Sequence, residues 1–280
     1  MEKIWLEAYQ EGVPAEIDIH QFTSLVDVFE KSCAQYETLP AYTNMGVTLT
    51  YGEIDEQSRN FGAYLQKVAG LKKGDRVAIM LPNLLQYPVA LFGILRAGTV
   101  AVNVNPLFTP RELEHELRDS GAKAIVILEN FAKTLEQVLS SSPVETIITT
   151  QIGDLFPFPK SVLVNFAVKY IKKMVPRWSI PGAVTFRSVL DSGKSKTLDD
   201  VALTREDTAF LQYTGGTTGV AKGAVLTHGN MVANILQVKA WVLPPLEHGK
   251  DVVITALPLY HIFALCVNCL CFTLIGGHNV

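Results

Sequence analysis

The sequence predicts an α/β fold in which mostly parallel sheets are covered by helices. Two observations carry this. Short runs such as "VAIM" in "GDRVAIMLPN" (74–83), "AIVIL" (124–128) and "IITT" in "VETIITT" (144–150) are apolar or β-branched without polar alternation. Strands of that kind are buried on both faces, as in parallel sheets. Between them lie longer segments whose apolar residues recur at helical spacing, which is the alternation of a doubly covered sheet.

The elements follow in order. "FTSLVDVFEKSCAQY" (22–36) reads as a helix capped by Thr23 or Ser24, with Leu25, Val28, Phe29 and Cys33 on one face. "VTLTYGEIDEQSRNFGAYLQKV" (47–68) reads as a short strand, then a helix opening near Tyr51 with Ile54, Ser58, Phe61 and Leu65 in register. "LQYPVALFGILRAGTVAVNVNP" (85–106) is a helix and then a strand. "TPRELEHELRDSGAKAIVIL" (109–128) repeats the pattern as a capped helix, Gly121 and a strand.

Bulk properties narrow the function classes. The chain has 280 residues, 48% hydrophobic and 18% charged, enough apolar material for a packed core and room for about two domains. A net charge of −3 gives no bulk attraction to nucleic acid. "MEKIWLEAYQEG" lacks the apolar core of a signal peptide. The longest apolar run, "IFALCVNCLCFTLIGG" (262–277), is shorter than the ~20 residues that span a bilayer, and reads as a buried helix or strand. These features predict a cytoplasmic protein. Its Cys266, Cys269 and Cys271 read as core residues rather than metal ligands or disulfide partners.

Residues 151–200 differ. Pro157, Pro159, Pro176 and Pro181 punctuate them, and between the prolines a basic amphipathic helix is predicted near 162–175. Leu163, Phe166, Ala167, Tyr170, Ile171 and Met174 share one side; Lys169, Lys172 and Lys173 lie largely opposite. The favoured reading packs the apolar side on the sheet; the other lays the helix on an anionic membrane surface. The domain organisation read from this is a first α/β subdomain over 1–190, a polar connection at 191–206, and the start of a second α/β subdomain over 207–280.

The most unusual stretch is "QYTGGTTGVAKGAVLTH" (212–228). Four glycines, three threonines and a lysine fall between Tyr213 and Ala224. "TAFLQY" before it and "AVLTH" after it read as strands, followed by a helix behind Thr227 or His228. A Walker loop runs from strand to helix and ends Gly-Lys-Ser/Thr. Here Ala221 precedes Lys222 and Gly223 follows it, so both spacing and setting differ. Phosphate chemistry still fits. Glycines let backbone N–H groups converge on an anion. The hydroxyls of Thr214, Thr217 and Thr218 can donate to phosphate oxygens or meet Mg²⁺, and Lys222 supplies a cation. A flexible glycine loop with incidental threonines is the plainer alternative.

"YTGGTTGVAKGA" resembles the signature loop of the adenylate-forming enzymes, which include acyl-CoA synthetases, luciferases and peptide-synthetase adenylation domains. A second motif of that family, "ALPLYHIFAL" (256–265), follows at the expected distance, and similarity extends from about Ser24 to the last residue. "LPNLLQYPVALFGILRAG" and "VNFAVKYIKKMVP" are most similar to the bacterial long-chain fatty acyl-CoA synthetases. The resemblance implies ATP-dependent activation of a long-chain fatty acid through an acyl-adenylate, with CoA as co-substrate. It implies that Tyr213, Thr214, Gly215, Gly216, Thr217, Thr218, Gly219 and Lys222 hold the ATP phosphates, with Thr217 a Mg²⁺ contact. It places Tyr260 and His261 at the join of adenylate and acyl pocket, His261 orienting the carboxylate; the alternative for His261 is a hydrogen-bonded core histidine. The family's later elements, including its small C-terminal domain, have no counterpart in this sequence. The chain is therefore expected to be the N-terminal part of a larger enzyme and inactive alone. Peripheral contact with the inner face of the cell membrane and a homodimer are expected, as is apolar surface near the C-terminus. A non-catalytic nucleotide- or lipid-binding module is the competing function class.

Overall fold

The computed structural model describes residues 3–214, 221–242 and 246–280. It is an α/β fold with two sheets. The strands are β1 (Pro40–Asn44), β2 (Val47–Thr50), β3 (Arg76–Met80), β4 (Val100–Asn103), β5 (Ala122–Leu128), β6 (Thr146–Thr150), β7 (Val184–Thr185), β8 (Thr208–Thr214), β9 (Lys222–Thr227), β10 (Val252–Val253) and β11 (His278–Asn279). The helices are α1 (Leu25–Tyr36), α2 (Tyr51–Lys67), α3 (Gln86–Arg96), α4 (Pro110–Ser120), α5 (Ala132–Val138), α6 (Lys160–Phe166), α7 (Phe186–Lys194), α8 (His228–Val242), α9 (Ile262–Ala264) and α10 (Phe272–Leu274). A π-helical turn, Ala167–Ile171, extends α6, and a longer one, Leu265–Cys271, joins α9 to α10. The apolar run at 262–277 is thus helical over Ile262–Leu274 and buried from Ala264 except at Val267, not a strand.

The large sheet has the order β7-β6-β5-β3-β4-β8-β9, parallel throughout except for the β8–β9 hairpin. Its central strands are covered on both sides, and the period of two sorts their residues. Val77 and Ile79 of β3, with Ala124 and Val126 of β5, join the core under α2, α3 and α7. Ala78 and Met80, with Ile125 and Ile127, join the core under α4 and α5. This is why the runs carry no polar alternation.

Local signals set the helix ends. Ser24 Oγ accepts from Asp27 N, so Ser24 and not Thr23 caps α1. Thr50–Glu53 and Thr109–Glu112 are complete capping boxes. Gly121 ends α4 at φ 61°, a left-handed position that suits glycine, and lets the chain turn directly into β5.

The small sheet has the order β10-β11-β1-β2. Strand pairing does not follow the division at 191–206. β8 and β9 complete the sheet begun by β3, whereas β1, with β2 at its other edge, pairs with β11 from the end of the chain. Residues 191–194 belong to α7. Sheet order is a long-range property, and a polar connection in the sequence does not report it.

The basic helix departs most from expectation. It occupies 160–171, and its apolar side does not pack on the sheet: Leu163, Phe166, Tyr170, Ile171 and Met174 are all exposed. The inward side is polar. Ser161 is buried, Asn165 Oδ1 accepts from Gly153 N at 2.7 Å, and Lys169 Nζ meets the buried Glu129 carboxylate at 3.1 Å. The floor beneath supplies Glu129, Asp154 and Gln151, so burying the lysine stem and amide satisfies groups that an apolar face would strand.

Candidate functional site

The candidate site is built at the carboxyl ends of β3, β4 and β8, the edge where open α/β sheets place their ligands. The β8–β9 hairpin confirms the strand–loop–strand setting. Its register ends on the pair Thr214↔Lys222, both exposed. Directly opposed residues of an antiparallel pair share a face. Thr214 and Lys222 therefore stand together at the mouth of the loop, a hydroxyl beside a cation. Gly215, Gly216, Thr217, Thr218 and Gly219 lie outside the described residues.

Tyr213 points to the other face. Its ring lies over Gly223, where an added Cβ would come within 2.9 Å of Tyr213 Cζ. Its hydroxyl donates to Asp119 Oδ2 at 2.5 Å. Burial, then the Asp119 contact, pushes the phenol pKa well above its usual range, so the hydroxyl stays a donor. Just before β9, Ala221 O is 3.0 Å from His115 Nε2. Asp119 and His115 are four residues apart on α4, so one helix face holds both stems of the loop. The sequence reading put Tyr213 among the phosphate contacts and did not single out His115 or Asp119. Their i, i+4 spacing on a capped helix was visible, but the strands they meet lie about a hundred residues away in the chain.

A buried polar network ties the loop stem to the second motif. Gln212 Oε1 accepts from Asn103 Nδ2 at 3.2 Å, and Gln212 Nε2 donates to Tyr260 O at 3.0 Å. The Tyr87 hydroxyl is 2.8 Å from both Asn103 Oδ1 and Leu259 O. Asn83 donates to Thr255 O and Leu257 O, and its Oδ1 accepts from Leu259 N at 2.8 Å. Three side chains, Asn83 after β3, Tyr87 of α3 and Gln212 of β8, thus pin residues 255–260, and Asn103 of β4 links the last two. Gln212 and Thr214, two apart on β8, share a face, so Tyr260 arrives on the side of Thr214 and Lys222. His261 is exposed, not a core histidine. Its Nδ1 accepts from Phe263 N at 3.4 Å and caps the helical run that follows. The network residues were missed from sequence because single Asn, Gln and Tyr side chains at strand ends form no local pattern.

Two further groups bear on the chemistry. Cys266, Cys269 and Cys271 are buried free thiols, and burial raises the pKa of Cys266 to about 11 and those of Cys269 and Cys271 to about 12. Tyr42 donates its hydroxyl to Cys269 Sγ at 3.1 Å. Such thiols are core groups, neither nucleophiles nor ready ligands. Glu116, on α4 between the two clamp residues, is 1% exposed, and neither carboxyl oxygen has a partner among the described residues. Burial raises its pKa to about 8. Among the described residues no group of three His, Cys, Asp or Glu side chains could hold a metal ion, and Thr217 lies outside them.

The model of the AMP-binding enzyme family matches residues 29–280. A long-chain-fatty-acid–CoA ligase of Escherichia coli O157:H7 is 59% identical over 280 residues, all of this chain and 50% of that protein. One from Bacillus subtilis is 35% identical over 265 residues, covering 94% of this chain and 47% of the relative. The chain spans about half the length of the curated relatives it matches. Among solved structures, a long-chain-fatty-acid-CoA ligase of Archaeoglobus fulgidus superposes with TM-score 0.76 at 24% identity, over 97% of this chain and 49% of the other. An anthranilate CoA ligase in complex with anthranoyl-AMP gives TM-score 0.76 at 20% identity, over 94% and 46%. These two likenesses concern the fold.

Proposed function

Because the chain belongs to the AMP-binding enzyme family, we propose that it supplies the triphosphate-holding part of a ligase that activates long-chain fatty acids. The observation that carries this is the pairing of Thr214 with Lys222 at the mouth of the loop, linked through Gln212 to Tyr260 and His261. The reaction joins a carboxylate oxygen to the α-phosphorus of ATP as the bond to pyrophosphate breaks. The CoA thiol then attacks the acyl carbon and AMP leaves. The first step needs charge on the outer phosphates neutralised and the reactants held in line. Lys222 and Thr214 fit that task as a point charge and a hydroxyl donor, with the glycine-rich loop adding backbone N–H groups. Thr217 would offer a hydroxyl oxygen to Mg²⁺ carried with ATP, which would offset charge on the phosphates. Exposed His261, beside Tyr260, is placed to orient the substrate carboxylate, and the long-chain acid is the acyl substrate.

Titration of the chain with ATP·Mg²⁺ tests this. Saturable binding is expected, weakened about tenfold or more by Lys222→Ala, since a charge-assisted hydrogen bond contributes about 1.5–3 kcal/mol. Absence of binding, or indifference to Lys222→Ala, removes the reading. The proposal further holds that the chain alone forms no acyl-CoA. Turnover by the purified chain would overturn that part.

A further inference from the structure

We infer that residues 158–174 form a docking surface for an anionic lipid bilayer. Three observations support it. The first is exposure. Phe158, Leu163, Phe166, Tyr170, Ile171 and Met174 are 54–83% exposed on one short segment. Isolated exposed apolar side chains are ordinary; a contiguous set is a contact surface. Phe166 and Tyr170 pack ring to ring at 5.1 Å, and the amphipathic tyrosine ring is of the kind that favours a membrane interface.

The second is that this outward orientation is held from beneath. Asn165 bonds Gly153 and Asp154, Lys169 bonds Glu129, and Ser161 is buried. Turning the helix to bury its apolar side would break these contacts and leave Glu129 buried without its cation. The exposed face is therefore the stable one.

The third is charge. From Leu155 to Leu190 the chain carries six Lys and Arg and no Asp or Glu; with −3 overall, the remainder carries −9. Lys172, Lys173 and Arg177 are exposed at the end of the helical run and take part in no ion pair among the described residues. An apolar face rimmed by cations matches anionic headgroups over acyl chains. A second copy meeting the same face would oppose like charges, which disfavours a homodimer through it. Met45, exposed at the tip of the β1–β2 turn, accepts from Lys160 Nζ through its carbonyl and widens the surface. No helix among the described residues is long and apolar enough to cross a membrane, so the contact is interfacial. It is independent of the ligase reading, since neither Thr214 nor Lys222 enters it.

Co-sedimentation with vesicles tests it, without nucleotide. Binding is expected to vesicles containing phosphatidylglycerol, falling with salt, and to be much weaker with phosphatidylcholine alone. Lys172→Gln with Lys173→Gln should weaken binding about 25-fold, at about 1 kcal/mol per cation. Phe166→Ser with Ile171→Ser should abolish it while leaving the far-UV circular dichroism and melting curve unchanged, because both residues are exposed. Ile254→Ser, on an exposed apolar residue outside the segment, should change nothing. The proposal falls if the protein ignores phosphatidylglycerol vesicles, if the Phe166/Ile171 variant binds as before, or if Ile254→Ser has the same effect. It also falls if sedimentation without lipid shows the surface buried by self-association that the Phe166/Ile171 variant abolishes.

Discussion

Helices α4 and α6 carry the same kind of sequence signal and face opposite ways. Both are amphipathic. In α4, Leu113 and Leu117 are buried against Met80, Val102 and Ile125, and the charged residues are largely outside. In α6 and its π-helical extension the apolar residues are outside, and Ser161, Asn165 and Lys169 turn inward. The floor decides. Under α4 the sheet offers aliphatic side chains; under α6 the ends of β5 and β6 offer Glu129, Gln151 and Asp154. Amphipathicity thus establishes that a helix has two faces, not which of them is buried.

Substitution on the two apolar faces is the strongest way to break this comparison. Leu117→Ala should cost about 2–5 kcal/mol in urea unfolding, the range for buried leucines. Leu163→Ala should stay within about 0.5 kcal/mol, as at exposed sites. Equal losses would show that α6 packs as α4 does.

Glu116 is the buried carboxyl on the inward side of α4, and it makes stability depend on pH. The folded carboxyl keeps its proton to about pH 8, whereas unfolding returns it to the usual 4.5. Between those values unfolding releases a proton, so stability falls as pH rises through that window. The loss should reach a few kcal/mol, at about 1.4 kcal/mol per pKa unit. Glu116→Gln should flatten this limb of the melting temperature against pH; an unchanged slope would mean that another group carries it. His228 acts in the opposite limb. Buried, with Nδ1 accepting from Leu25 N at 3.2 Å, it has a pKa lowered to about 4, so stability falls as pH drops from about 6.5 toward 4.

The polar floor under α6 can be tested next. Glu129→Ala leaves Gln151 Nε2 and Lys169 Nζ without their acceptor and should cost about 1–3 kcal/mol. A neutral result would show that these bonds do not hold the helix. A smaller loss is expected at the loop stem. Tyr213→Phe deletes the bond to Asp119 and should cost about 0.5–1.5 kcal/mol, with ATP·Mg²⁺ binding weakened less than by Lys222→Ala. If the tyrosine variant loses binding as completely as the lysine variant, the hydroxyl has a role beyond the stem.

Much of the fold was legible because its signals are local. Thr109 and Glu112 sit three residues apart, Gly121 closes the same helix, and "AIVIL" cannot be a half-solvated strand. Thr214 and Lys222 were legible through their motif. The supports of the site were not. His115 meets Ala221, Asn83 meets Leu259, and Tyr87 meets Asn103 and Leu259, and only the folded sheet brings most of these pairs together.

The sequence by itself determined the α/β class, the ends of its helices, the strand–loop–strand frame and the family, since each rests on residues close together in the chain. Tertiary structure alone decided that β8 and β9 complete the first sheet, that Tyr213 turns toward α4 while Gln212 on the opposite face reaches Tyr260 O, and that the basic helix shows its apolar side to solvent. Those outcomes depend on what lies beneath each segment: a carboxylate at Glu129 draws Lys169 inward, and no local pattern in residues 160–171 records that it is there.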